Sequence, residues 1–389
     1  MRRTLGIGLI GTGFMGVCHA MAFRAAPALF PDGPDARLEM VADLDADAAQ
    51  GLASRFGFAR ATDDWRALVA DPAVDIVAVT APNALHREMT LAALAAGKHV
   101  YCEKPMAVAL EDAVAMADTA DRAGVVTLVG YNYLRSPALA FTRKLVEEGT
   151  IGRPTYFRGL SDEDYMASPD VPFSWRCRRD LAGTGALGDI GSHILSFARY
   201  LMGPVRSVSA DRSTIVADRP VTGAAKQFGP LAVDADAPRA SVENEDIVHA
   251  MLRFDGGIIG TIATSRVAWG RKNRLAFELY GTEGSILFDQ ERMNELLLFQ
   301  PSAAGSDRNG FRKILLGPDH PPYGAFLPAP GHGLGFNDLK VAEAGAILAA
   351  VGGGAPAWPD FRQALEIERT LHAIDRAAAA GTWVDVSNE

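Results

Sequence analysis

A charged pair at the end of a short apolar run is the first candidate for chemistry: Glu103-Lys104, followed by Pro105. The run from His99 to Cys102 is typical of a buried strand, and α/β sheets bind their ligands at the carboxyl ends of strands. A lysine at that position can stabilise negative charge on a substrate oxygen. An ordinary surface ion pair before a turn is the alternative, since exposed Lys–Glu pairs are common and weak.

A second candidate is the segment from Gly183 to His193, in which Asp189 and His193 are four residues apart. Apolar spacing after this segment predicts a helix, so the two side chains are expected on one helical face. A carboxylate beside an imidazole tunes the histidine for proton transfer. The alternative is a capping aspartate and a buried, hydrogen-bonded histidine.

A glycine-rich turn follows the apolar run Thr4 to Ile10 and precedes a helical pattern. In this context G-x-G-x-x-G is typical of a dinucleotide site, because the glycines allow a tight turn and a close approach of the pyrophosphate. A glycine-rich turn without a ligand is the alternative. The expected cofactor contacts in this loop are Gly11, Gly13, Phe14, Met15 and Gly16.

The choice of cofactor depends on Asp43, which ends the next predicted strand, Leu38 to Ala42. An acidic residue there is expected to bond the adenosine ribose hydroxyls, and Leu44 offers no cation to a 2′-phosphate. The sequence therefore predicts NAD. Asp45 is expected to cap the helix that follows. Further predicted cofactor contacts lie after later strands: Thr80, Pro82, Asn83 (with a helix N-cap as an equal alternative), His86, Glu103 and Lys104.

Two domains are expected to position these residues. Strand and helix patterns alternate over residues 1–135, which predicts an α/β Rossmann domain with a doubly wound parallel sheet. Residues 136–389 are predicted to form an α+β domain for substrate binding and oligomerisation. Its strands alternate polar and apolar residues, as in a large, mostly antiparallel open sheet with one face buried. Residues 217–242 and 302–337 are predicted to be long loops.

Length and composition narrow the class of protein. A chain of 389 residues suits two domains, and a formal net charge of −9 argues against nucleic-acid or anionic-membrane partners. The isolated Cys18, Cys102 and Cys177 argue against disulfides or a metal site and suggest a reducing compartment. No apolar run is long enough to span a bilayer. We do not interpret Met1-Arg2-Arg3 as an export signal, because cleavage would remove the glycine motif, and we expect a cytoplasmic protein.

Together these motifs resemble, in their order and intervals, the glucose–fructose oxidoreductase / inositol dehydrogenase family, Gfo/Idh/MocA. The resemblance covers essentially the whole chain, including the crossover segment Tyr131-Asn132-Tyr133. It implies that Lys104, Asp189 and His193 are catalytic and surround the reacting hydroxyl. Ser196 stands where many members have aspartate, which leaves the substrate less well defined than the chemistry.

Within the family, Phe173-Ser174-Trp175-Arg176 and the segment 333–340 resemble levoglucosan dehydrogenase-like sugar 3-dehydrogenases. This implies NAD-dependent oxidation of a secondary hydroxyl of a neutral sugar, an anhydrosugar at C3, or a glycoside. Trp175 is expected to stack on the sugar or to pack in the core, and Arg176 to bond a sugar hydroxyl or a surface carboxylate. The implied substrate contacts are Lys104, Tyr133, Trp175, Arg176, Asp189, His193 and Asn337.

Other functions on the same fold stay open. An inositol (cyclitol) dehydrogenase is the first alternative. An NAD-dependent glycosidase is disfavoured, because the glycosidase relatives lack the lysine at the position of Lys104. A non-catalytic, nucleotide-sensing regulator is disfavoured by the presence of Lys104, Asp189 and His193 together, and a nucleotide-sugar reductase would need a basic pocket. The resemblance also implies a homodimer or homotetramer formed through the open face of the antiparallel sheet.

Overall fold

The computed structural model describes residues 2–222, 237–303 and 305–386. The chain divides into two compact units. The first comprises Met1–Ser136 with Gly317–Leu365, and the second Pro137–Leu316 with Glu366–Glu389. Residues 136–389 are predicted from the sequence to form the second domain. In the structure, residues 317–365 belong to the first unit instead.

The first unit is built on a parallel sheet with the order β3-β2-β1-β4-β5-β6. This is the strand order of a Rossmann domain, so the predicted doubly wound sheet is confirmed. The central strands are short, apolar and buried, because helices cover both faces. Its strands are β1 (Thr4–Ile10), β2 (Asp35–Ala42), β3 (Arg60–Thr62), β4 (Ile76–Val79), β5 (His99–Cys102) and β6 (Thr127–Val129).

Helices alternate with these strands: α1 (Phe14–Leu29), α2 (Ala46–Phe56), α3 (Trp65–Ala70), α4 (His86–Ala95) and α5 (Leu110–Ala123). Asp45 caps α2 as predicted, since its carboxylate accepts the backbone N–H groups of Asp47 and Ala48. The helix ends at Gly57, whose φ of 79° is a left-handed conformation that glycine adopts without strain.

The second unit contains a nine-stranded sheet with the order β16-β15-β14-β13-β7-β12-β11-β8-β17. The pairing of β7 with β12 is parallel and the described neighbours otherwise run antiparallel. Its helices are α6 (Pro137–Glu147), α7 (Arg179–Ala182) and α8 (Ser192–Met202). Its strands, with the separate ribbon β9–β10, are β7 (Pro154–Asp162), β8 (Val205–Ser213), β9 (Asp218–Pro220), β10 (Arg239–Ser241), β11 (Ile247–Phe254), β12 (Ile259–Ser265), β13 (Arg274–Gly281), β14 (Ser285–Asp289), β15 (Glu295–Phe299), β16 (Arg312–Leu315) and β17 (Val384–Asp385). Buried and exposed residues alternate along β11, as expected for a sheet with one open face.

The two predicted loops contain some regular structure. The ribbon of β9 and β10 lies within 217–242, while residues 223–236 of that stretch lie outside the described residues. The stretch 302–337 contains β16 and α9 (Tyr323–Phe326), and α10 (Phe336–Val351) and α11 (Phe361–Ala380) follow it. Apolar residues of α10 enter the core of the first unit beside β1 and α1, which explains why this segment belongs there. Among the described helices none is long and apolar enough to cross a membrane.

Candidate active site

The glycine loop leaves β1 in the shape that a dinucleotide requires. Gly11 has a φ of 100°, and the hydroxyl of Thr80 donates to its carbonyl oxygen at 3.1 Å. A Cβ on Gly16 would lie 2.1 Å from that same carbonyl, so no larger residue fits there. A Cβ on Gly13 would meet no atom within 4 Å, so the backbone faces open space at the start of α1. The loop thus fits a pyrophosphate at a helix N-terminus.

Asp43 lies beside this loop at the end of β2. Its Oδ2 accepts the backbone N–H of Thr12 at 2.8 Å and the hydroxyl of Thr12 at 2.7 Å. Its Oδ1 accepts the N–H of Asp45 at 3.1 Å, and Leu44 is 86% exposed. The carboxylate is therefore fixed in orientation and has an apolar neighbour, an arrangement that suits a ribose diol better than a 2′-phosphate.

The predicted cofactor contact His86 has a different role in the described structure. Its side chain is buried, and Nδ1 and Nε2 each lie 2.9 Å from a backbone carbonyl, of Pro105 and of Ala81. Burial lowers the pKa of His86. His86 therefore ties together the loops that follow β4 and β5. Asn83 begins a short 3₁₀ helix after the exposed Pro82, so it is not the N-cap of α4.

The motif Glu103-Lys104-Pro105 follows β5 at the carboxyl edge of the sheet, as predicted. Lys104 is half-buried, whereas the residues on either side of it are buried. The backbone N–H of Glu103 donates to the carbonyl of Val79 at 2.9 Å, and Glu103 Oε2 accepts the N–H of Lys104 at 3.3 Å. The motif is thus anchored to the sheet through its glutamate, and the lysine is the member presented toward the surface of the unit.

The Glu103 carboxylate is paired with two residues that sequence analysis missed. His19 Nε2 lies 2.7 Å from Oε1, and Lys340 Nζ lies 2.5 Å from the same oxygen. Burial raises the pKa of Glu103, but the charge of Lys340 and the hydrogen bond from His19 outweigh it and hold that pKa well below its usual range. Burial and the charge of Lys340 lower the pKa of His19, so its ring is neutral. Glu103 is ionised behind Lys104.

The second unit contains Asp189 and His193. Asp189 lies in a π-helical turn, Leu187–Gly191, and His193 lies in the first turn of α8. The wider turn interrupts the single α-helix predicted for both residues. Asp189 Oδ2 accepts the hydroxyl of Tyr165 at 2.6 Å and Nε of Arg176 at 3.1 Å. Burial and the nearby Asp189 charge raise the pKa of Tyr165 well above its usual range, so the phenol stays a donor.

Arg176 connects Asp189 to a buried support. Its guanidinium lies 4.4 Å from the centre of the Trp175 ring, a cation–π distance. Its carbonyl accepts Asn244 Nδ2 at 2.9 Å and Nη1 of the buried Arg266 at 3.3 Å. Of the two roles predicted for Arg176, the structure shows a carboxylate partner, and that carboxylate belongs to Asp189.

The start of the turn that carries Asp189 is bonded by the side chain of Glu245. Glu245 Oε1 accepts the N–H groups of Gly185 at 2.7 Å and Leu187 at 3.0 Å. Ser196 is buried and donates to the carbonyl of His193 at 2.7 Å. At this position, where many family members have aspartate, the side chain of Ser196 therefore forms a hydrogen bond to the backbone of α8.

The remaining predicted substrate contacts lie in the first unit. Tyr133 packs edge-on against Phe336 at 5.8 Å between ring centres, and Phe336 stacks on Phe14 at 5.9 Å. Asn337 is exposed in the first turn of α10, next to this aromatic group. Of the predicted substrate contacts, the first unit contains Lys104, Tyr133 and Asn337, and the second contains Trp175, Arg176, Asp189 and His193. In the described ranges no group of three or more His, Cys, Asp or Glu side chains is arranged to hold a metal ion.

Comparisons with known proteins agree with these two units. Residues 5–131 match the family described as "Oxidoreductase family, NAD-binding Rossmann fold", and residues 140–287 match the "GFO/IDH/MocA C-terminal domain". The resemblance predicted from the motifs and the predicted NAD-binding domain are thereby confirmed.

Individual relatives extend this likeness to nearly the full chain. Levoglucosan dehydrogenase of Pseudarthrobacter phenanthrenivorans is 40% identical over 387 residues, which cover 99% of this chain and 98% of the relative. The solved structure of levoglucosan dehydrogenase in complex with NADH and levoglucosan is similar with a TM-score of 0.92 and 39% identity, covering 99% of this chain and 100% of that one. Myo-inositol 2-dehydrogenase of Thermotoga maritima is 30% identical over 75% of this chain and 77% of the relative.

Proposed function

Because this chain belongs to the GFO/IDH/MocA family of NAD-binding oxidoreductases, we propose that it oxidises a secondary hydroxyl of a neutral sugar with NAD. The preferred substrate is an anhydrosugar such as levoglucosan, oxidised at C3, or a related glycoside. One observation carries the proposal: the nearly full-length likeness to levoglucosan dehydrogenase, in sequence and in fold. A sugar is also consistent with the absence of an obvious phosphate clamp beyond the glycine loop in the sequence.

The roles of the site residues follow from their chemistry. NAD, when bound, supplies the hydride acceptor. Lys104 stabilises the charge that develops on the substrate oxygen as the carbonyl forms, and His193 accepts the hydroxyl proton. Asp189 orients the imidazole and stabilises its charged form.

A cofactor-reduction screen tests the proposal. NADH formation is followed with levoglucosan, free hexoses, glycosides and inositols as substrates. We expect the highest kcat/KM for levoglucosan or a related neutral pyranose. Dominant turnover of inositols would favour the alternative that the likeness to myo-inositol 2-dehydrogenase supports. A strong preference for sugar phosphates or nucleotide sugars would contradict the proposal, and release of an aryl group from an aryl glycoside would point to a glycosidase.

We also infer a cytoplasmic homodimer or homotetramer. The nine-stranded sheet leaves apolar side chains exposed on its open face, among them Met251 at 50% and Ile259 at 57% exposure. Apolar side chains on an open sheet face suit an interface between copies of the chain. Light scattering coupled to size-exclusion chromatography should give a mass of two or four chains, and Met251→Asp should lower that mass. A monomer at micromolar concentration would contradict this inference.

A further inference from the structure

The glutamate of the Glu103-Lys104-Pro105 motif is held from behind by a lysine that lies 237 positions away in the chain. Lys340 is fully buried on α10, and its Nζ lies 2.5 Å from Glu103 Oε1. The same Nζ lies 2.9 Å from Glu343 Oε2 and 3.0 Å from the hydroxyl of Tyr101. An ammonium has three N–H donors, so these partners account for all of them. Lys340 is therefore a structural cation of the first unit with no donor left for a ligand.

Glu103 is confined on its other sides as well. His19 Nε2 lies 2.7 Å from Oε1, and Oε2 accepts the backbone N–H of Lys104 at 3.3 Å. A Cβ on Gly130 would lie 2.8 Å from Oε1 and 2.9 Å from Oε2, so the backbone after β6 closes the remaining side. Within residues 101–107, Lys104 alone is not buried. Lys104 therefore follows a residue, Glu103, whose carboxylate is held in a single position.

We propose that Lys340 is a positioning residue for Lys104: its ion pair keeps Glu103 charged and in place, and Glu103 holds the backbone of Lys104. This inference rests on the proposed catalytic role of Lys104. Removing one member of a buried ion pair leaves the other charge uncompensated. Without Lys340, Glu103 therefore takes up a proton or leaves its position, and either change weakens its hydrogen bond to the N–H of Lys104.

The loss of Lys340 should also create a new pH dependence. The titratable groups that face Glu103 come from the elements packed against it: His19 and Cys18 on α1, Tyr101 on β5, His86 on α4, and Lys340 on α10, which also pairs with Glu343. Burial raises the pKa of Glu103, and Lys340 is the strongest of the groups that oppose it. In Lys340→Met, Glu103 should be protonated at a higher pH than in the wild type. Turnover should then fall on acidification within a range where wild-type turnover is constant.

The test compares Lys340→Met with Glu343→Gln, a matched change on the same helix that does not contact Glu103. For each we would measure kcat and KM for the sugar, NADH affinity by fluorescence, melting temperature and the pH profile of kcat. Lys340→Met should lower kcat about tenfold or more, the scale for losing a residue that orients a functional one, with KM and NADH affinity within about twofold. Glu343→Gln should lower the melting temperature and keep kcat within about threefold of the wild type.

Two further variants keep the proposal testable if Lys340→Met does not fold. Lys340→Met combined with Glu103→Gln removes both buried charges, and Gly130→Ala pushes the Glu103 carboxylate aside without changing a charge. Both variants should lower kcat. The fall in kcat on acidification that is expected for Lys340→Met should be absent from the double variant, because it has no carboxyl group at position 103. Wild-type kcat per NADH-binding site in Lys340→Met, in the double variant or in Gly130→Ala would overturn the proposal. Lys104→Met, measured in parallel, distinguishes failure of the inference about Lys340 from failure of the proposed function. Wild-type turnover in Lys104→Met would contradict the proposed catalytic role of Lys104.

Discussion

The acidic residues of the two motifs, Glu103 in the first unit and Asp189 in the second, differ in burial. In the first unit, Glu103 is buried and ion-paired, and its neighbour Lys104 is half-buried. In the second unit, the Asp189 side chain is itself 24% exposed, and Tyr165 and Arg176 hold it from one side. A buried, paired carboxylate can act only through the backbone and charge around it, whereas an accessible one can act on a ligand. The two carboxylates therefore differ in exposure: that of Glu103 is enclosed in the first unit, and that of Asp189 is partly exposed in the second.

The largest effect that this comparison predicts is at Lys104. Lys104→Met should lower kcat about a hundredfold or more, the scale for losing a positioned acid–base group. NADH affinity should change much less, because Lys104 lies outside the glycine loop that fits the pyrophosphate. His193→Ala should behave alike, and the double variant should cost little more than the worse single one, because in the proposed mechanism both residues serve the same chemical step and such effects are not additive. Lys144→Met, at an exposed position on α6, is the matched control. Near-normal turnover in Lys104→Met would make Lys104 an ordinary surface lysine.

A smaller effect is expected at the presented carboxylate. Asp189→Asn should lower kcat about tenfold, because in the proposed mechanism this charge orients His193, and the substitution leaves the imidazole in place. Tyr165→Phe, which removes one hydrogen bond to Asp189, should lower kcat by less. Tyr156→Phe is the control in the same unit, because the Tyr156 hydroxyl contacts Thr261 in the sheet. A loss in Tyr165→Phe larger than that in Asp189→Asn would show that Tyr165 acts on the substrate directly.

The contrast between the two settings also explains what sequence analysis can and cannot find. The glycine loop, the cap at Asp45 and the alternation of strands and helices that predicts a parallel sheet depend on local patterns, and the structure confirms them. The pairing of Glu103 with Lys340 joins distant segments, and no local pattern contains it. Its one trace in the sequence is the pair Lys340 and Glu343 within residues 339–351 of α10, which are otherwise apolar. His86 was selected because it follows a strand, but both its nitrogens are engaged with backbone carbonyls.

A third and weaker effect is expected on cofactor preference and on KM for NAD, at Asp43 and Thr12. The wild type should use NAD with a higher kcat/KM than NADP, because the Asp43 carboxylate binds a ribose diol and repels a 2′-phosphate. Thr12→Val removes the hydroxyl that donates to Asp43, and we expect KM for NAD to rise about threefold, as for one lost hydrogen bond. Steady-state kinetics with both cofactors would measure this. Equal or better use of NADP by the wild type would contradict the role of Asp43.

The buried groups also predict a pH dependence of stability. His19 and His86 are buried, and burial lowers the pKa of both. In the unfolded chain a histidine titrates near about pH 6.5, so below that pH the unfolded state binds more protons than the folded state. Stability should therefore fall on acidification from pH 7 toward pH 5, by up to about 1.4 kcal/mol per pH unit for each histidine. Unfolding in urea at several pH values gives this slope.

His86→Gln tests how much of the slope of unfolding free energy against pH comes from one histidine. Glutamine keeps a donor for one of the two carbonyls but does not titrate, so the variant should be less stable at pH 7.5 and lose less stability on acidification. The difference in slope should approach one proton, because a single buried imidazole has been removed. His249→Gln, at an exposed position on β11, is the control measured in the same way. An unchanged slope in His86→Gln would mean that the buried ring is already charged in the folded protein, and that both of its nitrogens donate to the carbonyls of Ala81 and Pro105.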